Sequence, residues 1–395
     1  MNRTDELPPE PLSAEPFIEE ACRVTKLSDF GPEGWREAFD VLLRSINAEA
    51  HLNAEGFEMF HGWVLRRLTN RLRVIDWVKR HPEVSSERVE EPIFVCGMPR
   101  TGTTILLNLL SQDPRNRPLM KWESMNAVPP PQAATFHSDP RIGQAVAEVE
   151  GVFDRSPEMK AIHYEPGDGP TECIELLTQH FVGQDWSFWV VPSYFAWFDH
   201  CDMRSALQYH KLCLKLLQSG APGRWVLKAT THVLYLETLF ETYPDARVVI
   251  PHRDPVESVV SMSALSCSCK PELMTSGYDA EACRKFYGQF WVSEFGTMIE
   301  KMMDFRDRFP DANIHDVRYV DFIRDPLGSV RDLYAHFGED LSVEAFSRME
   351  RHLAANPKGR FGAHHYTPED FDLSTPQLTD FFSHYVDRYR LGERA

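Results

Sequence analysis

Residues suited to anion chemistry are concentrated in one loop near residue 100. The chain contains Gly97-Met-Pro-Arg-Thr-Gly102, followed at once by Thr103 and Thr104. This spacing matches the phosphate loop G-x-x-x-x-G-K-[ST], except that Thr103 replaces the lysine. The cation of the loop is Arg100, inside the turn. The loop therefore predicts a site for a phosphate or a similar anion, but not for the γ-phosphate of ATP, which needs the missing lysine.

The elements on either side of the loop would position it for this task. Residues 93–96 are all apolar and predict a strand buried on both faces, and the leucine-rich run Ile105–Leu110 predicts a helix. A glycine loop between a strand and a helix presents backbone N–H groups at the positive end of the helix dipole. The alternative is a simple turn made of small residues, without a ligand.

Two further cations are predicted at the ends of strands. Residues 225–227 predict a strand that ends at Lys228, and residues 247–250 predict one that is followed by Arg253. The alternation of strands and helices predicts a P-loop-like, three-layer α/β fold, in which helices flank a central parallel sheet. Ligands of such folds lie beyond the carboxyl ends of the strands. We therefore expect Arg100, Lys228 and Arg253 to meet in one crevice.

The loop resembles the nucleotide-binding loop of the sulfotransferases that use 3′-phosphoadenosine 5′-phosphosulfate (PAPS). In that superfamily the loop commonly contains Pro-Lys/Arg-Ser/Thr-Gly-Thr-Thr, and Pro99–Thr104 matches it residue by residue. The version with arginine resembles the branch that contains many bacterial members. The resemblance implies that PAPS is the co-substrate and that it is bound by Arg100, Thr101, Gly102, Thr103 and Thr104.

A second motif supports the same resemblance. In the family, an arginine that closes a strand and a serine eight residues later bind the 3′-phosphate of PAPS, and Arg253 and Ser261 match this spacing. Ser258 is the alternative hydroxyl. Without the resemblance, Arg253 would be interpreted as a surface arginine paired with Asp254, ahead of an ordinary helix that begins at Pro255.

A third motif matches the family in part. The segment Pro357–Gly362 resembles the Arg-Lys-Gly-x-x-G loop that covers the same phosphate, with proline in place of the first arginine. Ala363 and His364 also stand where the relatives have Asp-Trp. The resemblance implies that Lys358 and Arg360 bind the donor, whereas the alternative is a solvated basic turn.

Sulfuryl transfer requires in-line displacement, cations where negative charge builds up, and a base for the acceptor proton. The resemblance implies that Arg100 and Lys228 are the catalytic cations. For the base, Glu123 follows a predicted short strand, as in several relatives. His232 comes two residues later than the family's Lys-Thr-His pattern, and His163 has no motif to support it. The sequence does not choose among them.

The composition limits the classes of partner. The chain has 395 residues, 43% of them hydrophobic, and a formal net charge of −17. This charge argues against binding to nucleic acid or to an anionic membrane surface. A polar N-terminus and the absence of a long apolar run predict a cytoplasmic protein without membrane insertion. No carboxylate set predicts a metal site, and the eight cysteines, which lack C-x-x-C spacing, are expected to be reduced thiols.

We predict three parts along the chain: a flexible arm over 1–30, a helical segment over 31–90 and a sulfotransferase α/β domain over 91–395. The helical segment contains two amphipathic helices and would pack on the domain or on a partner subunit, which makes a homodimer one option. Further short strands are predicted over 118–125 and 314–320. The aromatic cluster between Phe181 and Phe198 predicts either core or an acceptor pocket.

These observations predict a PAPS-dependent sulfotransferase. It would transfer the sulfuryl group to a hydroxyl of a small, apolar or aromatic acceptor and release adenosine 3′,5′-bisphosphate. The alternatives are an ATP-dependent small-molecule kinase on the same loop architecture and a nucleotide-binding protein without catalytic activity. Thr103 and the pair formed by Arg253 and Ser261 argue against the kinase.

Overall fold

A parallel β-sheet lies at the centre of the computed structural model, which describes residues 11–269, 275–357 and 366–392. All strand pairs of the sheet are parallel. The spatial order is β2-β3-β1-β4-β5, so β1 lies in the middle. The predicted α/β architecture is confirmed. The strands are β1 (Ile93–Val95), β2 (Asn116–Pro118), β3 (Arg224–Lys228), β4 (Arg247–His252) and β5 (Ile314–Arg318).

Helices make up most of the remaining chain. In the described residues the α-helices are α1 (Ala14–Thr25), α2 (Trp35–Ser45), α3 (Ala54–Arg80), α4 (Thr103–Leu110), α5 (Lys121–Met125), α6 (Pro140–Arg155), α7 (Pro157–Ile162), α8 (Ile174–Leu177), α9 (Pro192–Phe198), α10 (Arg204–Gln218), α11 (Leu236–Thr242), α12 (Pro255–Ser268), α13 (Ala280–Arg308), α14 (Tyr319–Arg324), α15 (Pro326–His336), α16 (Val343–Ala355), α17 (Thr375–Phe381) and α18 (Ser383–Arg388).

The sheet separates two hydrophobic cores, because successive side chains of a strand point to opposite faces. On β1, Phe94 belongs to the larger core, which also contains the N-terminal helices. Ile93 and Val95 belong to the smaller core, together with residues of α4, α15 and α16. Both faces of β1 are therefore covered, as the apolar run 93–96 predicted.

Residues 11–30 are not the loose arm that the sequence suggested. They include α1, whose Phe17 is only 4% exposed and meets the rings of Phe39 and Phe60 edge-on, at centroid distances of 5.9 and 6.2 Å. Residues 1–10 lie outside the described part. The two amphipathic helices predicted in the helical segment over 31–90 are α2 and α3. They share the larger core with the sheet. The division of the chain into three parts stays a prediction.

Two predicted strands are wrong in part. The strand expected over 118–125 is β2 followed by α5, because Glu123 accepts a hydrogen bond from the backbone N–H of Met120 (3.0 Å) and thereby caps a helix. The strand expected over 314–320 ends at Arg318, where the backbone turns directly into α14. This turn brings Tyr319 to the carboxyl edge of the sheet.

The longest described helix, α13, has no counterpart among the predicted elements. It spans 29 residues, and its buried side chains Tyr287, Trp291, Phe295 and Ile299 recur at four-residue steps, a helix signal present in the sequence. Among the described residues, no helix combines the length and hydropathy that a membrane-spanning segment needs.

Replacement of Phe17 by alanine tests whether α1 is part of the core. We expect the free energy of unfolding to fall by about 3 to 5 kcal/mol, because the change removes a buried ring and leaves a cavity. Urea unfolding followed by tryptophan fluorescence measures it. The control is Val24→Ala on the same helix, where the side chain is 48% exposed. Equal effects of the two substitutions would contradict the packing of α1.

Candidate active site

The loop between β1 and α4 has a backbone that requires glycine at two positions. Gly97 and Gly102 have φ angles of 132° and 93°. A Cβ atom on Gly97 would lie 3.1 Å from the carbonyl oxygen of Pro251, and one on Gly102 would lie 3.1 Å from the ring of Tyr319. Side chains are therefore disfavoured at both positions by backbone conformation and by space. The loop passes close to the ends of β4 and β5.

The start of α4 offers backbone donors to the same space. The first i→i−4 hydrogen bond runs from the N–H of Leu106 to the carbonyl of Gly102 (3.1 Å), so the N–H groups before Leu106 have no partner within the helix. Thr101 is fully buried, and its hydroxyl donates to the carbonyl of Met98 (2.8 Å), which fixes the turn from inside. Thr101 therefore shapes the loop, whereas Thr103 and Thr104 line a cavity.

The three predicted cations meet at one cavity of about 270 Å³. Arg100, Lys228 and Arg253 all line it, together with Thr103 and Thr104. They come from the ends of β1, β3 and β4, which are neighbours in the sheet. The prediction that these separate parts of the chain converge on one crevice is confirmed.

Lys228 is held at the cavity by two partners. Its ammonium group donates to Thr104 Oγ1 (3.0 Å) and forms an ion pair with Glu172 (2.6 Å). The lysine side chain is only 3% exposed. Its charge is thus directed at the first turn of α4.

Arg253 and Ser261 border a second cavity of about 340 Å³, which also touches Arg100. Arg253 Nη1 donates to the carbonyl of Arg100 (3.0 Å), and Arg100 Nε donates to Ser261 Oγ (3.0 Å). The guanidinium of Arg253 lies over the ring of Tyr319, 4.6 Å from its centroid. Ser258 is fully buried and donates to the carbonyl of Asp254, so the structure favours Ser261 as the hydroxyl of the pair.

The electrostatics of this region favour an anion. Burial lowers the pKa of Arg100, and the neighbouring positive charge of Arg253 lowers it further. An arginine guanidinium nevertheless stays protonated in proteins at neutral pH. Two cations held side by side in a partly buried site gain energy when a negatively charged group arrives.

A third cavity of about 230 Å³ adjoins the first. Both are lined by His163, Glu172, Asp185 and Phe188, so these side chains lie where the two spaces meet. The outer walls combine apolar, charged and polar side chains, namely Trp63, Arg66, Arg67, Lys121, Met125, Glu148, Val149, Val152, Phe153, Glu165, Thr171 and Glu175. Much of this wall comes from α3 and α6.

Most of the aromatic cluster predicted as core or pocket is core. Trp186, Trp189, Tyr194 and Phe195 are at most 3% exposed. Phe188 and Trp197 are partly exposed, and Phe188 lines both the first and the third cavity. Most of the cluster is therefore core, and Phe188 is the ring that faces the cavities.

Glu123 lines none of these three cavities, so its position does not support the prediction that it is the base. It is fully buried and receives two hydrogen bonds from Arg117, at 2.7 and 3.1 Å. Burial raises the pKa of Glu123, against the opposing effect of Arg117. Its bond to Met120 begins α5. These contacts indicate a role in folding.

His232 also lines none of these three cavities, and its position does not support it as the base. Its ring is fully buried beside Phe94 and His210, at centroid distances of 5.2 and 6.2 Å. Neither ring nitrogen hydrogen-bonds to a described residue. Burial lowers the pKa of His232 well below its usual value. The two-residue shift from the family pattern thus coincides with a core position.

Of the three predicted bases, His163 alone is brought to the cavities. The structure adds Glu172 and Asp185, which the sequence analysis did not identify because no local motif marks them. Tyr319 was also missed. Ligands lie at strand ends, so this residue would have been indicated if the last strand had been predicted to end at Arg318.

Lys358 and Arg360 lie outside the described residues. No group of three or more His, Cys, Asp or Glu side chains suited to a metal ion occurs in the described ranges.

Residues 92–343, more than half of the chain, match the model of the sulfotransferase family. The chain is a member of that family. Its structure is similar to sulfotransferase STF9 from Mycobacterium avium, with a TM-score of 0.87 and 30% identity over 97% of this chain and 98% of the other. It is also similar to sulfotransferase STF1 from Mycobacterium tuberculosis, with a TM-score of 0.82 and 30% identity over 95% and 99% of the two chains.

A curated relative adds a named acceptor. The omega-hydroxy-beta-dihydromenaquinone-9 sulfotransferase Stf3 of Mycobacterium tuberculosis is 23% identical over 310 residues, which cover 76% of this chain and 75% of the relative. The similarity to STF9 and STF1 extends over almost the whole of this sulfotransferase. It therefore includes the N-terminal helices as well as the sheet.

Replacement of Glu123 by glutamine separates a folding role from a catalytic one. We expect the free energy of unfolding to fall by about 3 kcal/mol, because Arg117 loses its buried partner. Urea unfolding measures the change, and calorimetry should show unaltered binding of adenosine 3′,5′-bisphosphate. Glu83→Gln, at a side chain that is 70% exposed, is the control. A variant of full stability that has lost sulfuryl transfer would restore Glu123 as the base.

Proposed function

We propose that this sulfotransferase takes its sulfuryl group from PAPS and transfers it to the hydroxyl of an apolar acceptor. The convergence of Arg100, Lys228 and Arg253 on one cavity is the observation that supports this most strongly. Sulfotransferases of this family use PAPS as the donor, and the residues present fit a doubly phosphorylated adenosine. Two cavities that share Arg100 and Arg253 provide room for charged groups at both ends of such a molecule.

In this proposal the loop binds one end of the donor, and the second cavity binds the other end. The free N–H groups at the start of α4, Thr104 and Arg100 would hold the phosphosulfate end. Arg253 and Ser261 would hold the 3′-phosphate, through charged hydrogen bonds that a guanidinium makes well. Arg253 now donates to Glu257 and to the carbonyl of Arg100. A phosphate would compete with Glu257 for the same guanidinium.

Lys228 is the cation best placed for the chemical step. It already donates to Thr104, at the first turn of α4, and its burial strengthens its effect on developing charge. It would stabilise the oxygen that leaves sulfur. Glu172 would hold the ammonium group in this orientation.

The third cavity is the proposed acceptor site. It opens from the donor cavity at His163, Glu172, Asp185 and Phe188. Its apolar walls favour a hydrophobic body, while the shared polar side chains favour a hydroxyl at the junction. The name of the relative Stf3, whose acceptor is an omega-hydroxylated menaquinone derivative, agrees with an alcohol on an apolar body.

Calorimetry with adenosine 3′,5′-bisphosphate tests the donor. We expect Arg253→Ala to weaken binding of the bisphosphate about 10- to 100-fold, the loss of one or two charged hydrogen bonds, and to leave 5′-AMP nearly unchanged. Arg324→Ala, at a side chain that is 63% exposed, is the control. Equal losses for the two nucleotides would remove Arg253 from the 3′-phosphate. Binding of ATP but not of the bisphosphate would instead favour a kinase.

Transfer from ³⁵S-labelled PAPS into a metabolite extract tests the acceptor. We expect a labelled product that partitions into organic solvent and whose mass is that of the sulfate ester of an apolar alcohol. Lys228→Met should reduce the label about 100- to 1000-fold, because it removes a cation from the developing charge. Label confined to water-soluble sugars would contradict the apolar acceptor but not the transfer itself.

A further inference from the structure

The junction between the first and the third cavity holds three side chains able to accept a proton. During the transfer proposed above, on which this inference rests, the acceptor oxygen bonds to sulfur and loses its hydrogen as a proton. The bond between sulfur and the bridging oxygen breaks, and its electron pair leaves with adenosine 3′,5′-bisphosphate. The proton requires a base within hydrogen-bonding reach of the acceptor oxygen. The groups at the junction are His163, Glu172 and Asp185.

Glu172 is already engaged. Its carboxylate forms an ion pair with the ammonium of Lys228 at 2.6 Å. Transfer of a proton to Glu172 would break this ion pair and leave the buried lysine without its partner. Its contacts fit the orientation of Lys228 better than proton transfer.

His163 is a poor acceptor for a different reason. Burial lowers its pKa to about 4, and the positive charges of Lys228, Arg100 and Lys121 contribute to the decrease, against the effect of Glu165. The imidazole is neutral at neutral pH, but the imidazolium that proton transfer would produce is strongly disfavoured. A base with such a low pKa gives little driving force for transfer of the proton from the acceptor hydroxyl.

Asp185 differs from both in its partners. Its one ion pair among the described residues is with Arg67 at 4.0 Å, too long for a hydrogen bond. The guanidinium of Arg67 lies over the rings of Trp63 and Trp186, 4.7 and 5.2 Å from their centroids, and it also donates to the carbonyl of Trp63 (3.3 Å). Asp185 is 22% exposed and lines both cavities. Its carboxylate therefore has capacity for a new hydrogen bond.

We propose that Asp185 is the base that accepts the proton of the acceptor hydroxyl. The proton moves to a carboxylate oxygen of Asp185 as the new bond between oxygen and sulfur forms. The carboxyl group then returns the proton to water after the products leave.

The charges around Asp185 suit this role. Burial raises its pKa to about 7, with a contribution from the negative charge of Glu175, while Arg67 and Lys121 oppose the increase and Glu172 adds to it. A base with a pKa near the working pH combines sufficient ionisation with sufficient basicity. The other charged or titratable side chains that line the two cavities are Arg66, Arg100, Glu148, His163, Glu165, Tyr319, Lys228 and Arg253.

This assignment predicts the direction of the pH dependence. Below pH about 7 the folded protein binds a proton at Asp185, and the base is blocked. The turnover number should therefore fall as the pH decreases through this value. Glu175→Gln removes a negative charge that raises the pKa of Asp185, so the acidic limb should move to lower pH.

The test compares Asp185→Asn with Glu172→Gln and His163→Gln. Transfer from ³⁵S-labelled PAPS is measured between pH 5.5 and 8.5 with 1-dodecanol, farnesol and 2-naphthol as probes. We expect Asp185→Asn to lose about 100-fold or more of the turnover number and to lose the acidic limb. The other two variants should retain the limb. Binding of adenosine 3′,5′-bisphosphate to Asp185→Asn, measured by calorimetry, should match the wild-type chain.

The outcomes separate this inference from the proposed function. If the wild-type chain transfers label and Asp185→Asn keeps the acidic limb, the base is another group and Asp185 has at most a structural role. Loss of the limb in Glu172→Gln or His163→Gln alone would identify that residue instead. If the wild-type chain does not bind the bisphosphate, the proposed donor is wrong, whatever Asp185 does.

Discussion

The parallel pairing of three neighbouring strands is the constraint on which the site depends. β3, β1 and β4 run in the same direction and in register, with Ile93 opposite both Val226 and Arg247. Their carboxyl ends therefore lie side by side, and each delivers one cation. Without this alignment, Lys228 and Arg253 would be ordinary charged residues in distant parts of the chain. Two hydrophobic cores cover the two faces of the sheet and so keep the three ends in place.

Much of this arrangement was predictable because it depends on local patterns. An apolar run, a glycine loop and a leucine-rich run specify β1, the turn and α4, and the structure adds that Gly97 and Gly102 adopt positive φ. Lys228 and Arg253 were predictable because each follows a strand without interruption. The chain alone thus indicates which residues meet, even before the order of the strands is known.

The remainder of the site depends on packing between distant segments. Glu172 and Asp185 lie in short irregular elements, and no spacing marks them as neighbours of Lys228. The positions of Glu123 and His232 do not support them as bases, because a motif defines a residue type but not its surroundings. Glu123 is the buried partner of Arg117, and His232 is part of the core.

The helix α3 has two faces with different surroundings. Phe60, Val64 and Leu68 on one face are fully buried in the larger core, while Trp63 and Arg66 on the other line the third cavity. The helix also precedes the segment that matches the family model. Substitutions on the cavity face of α3 can therefore reshape the third cavity without removing the side chains that pack in the larger core.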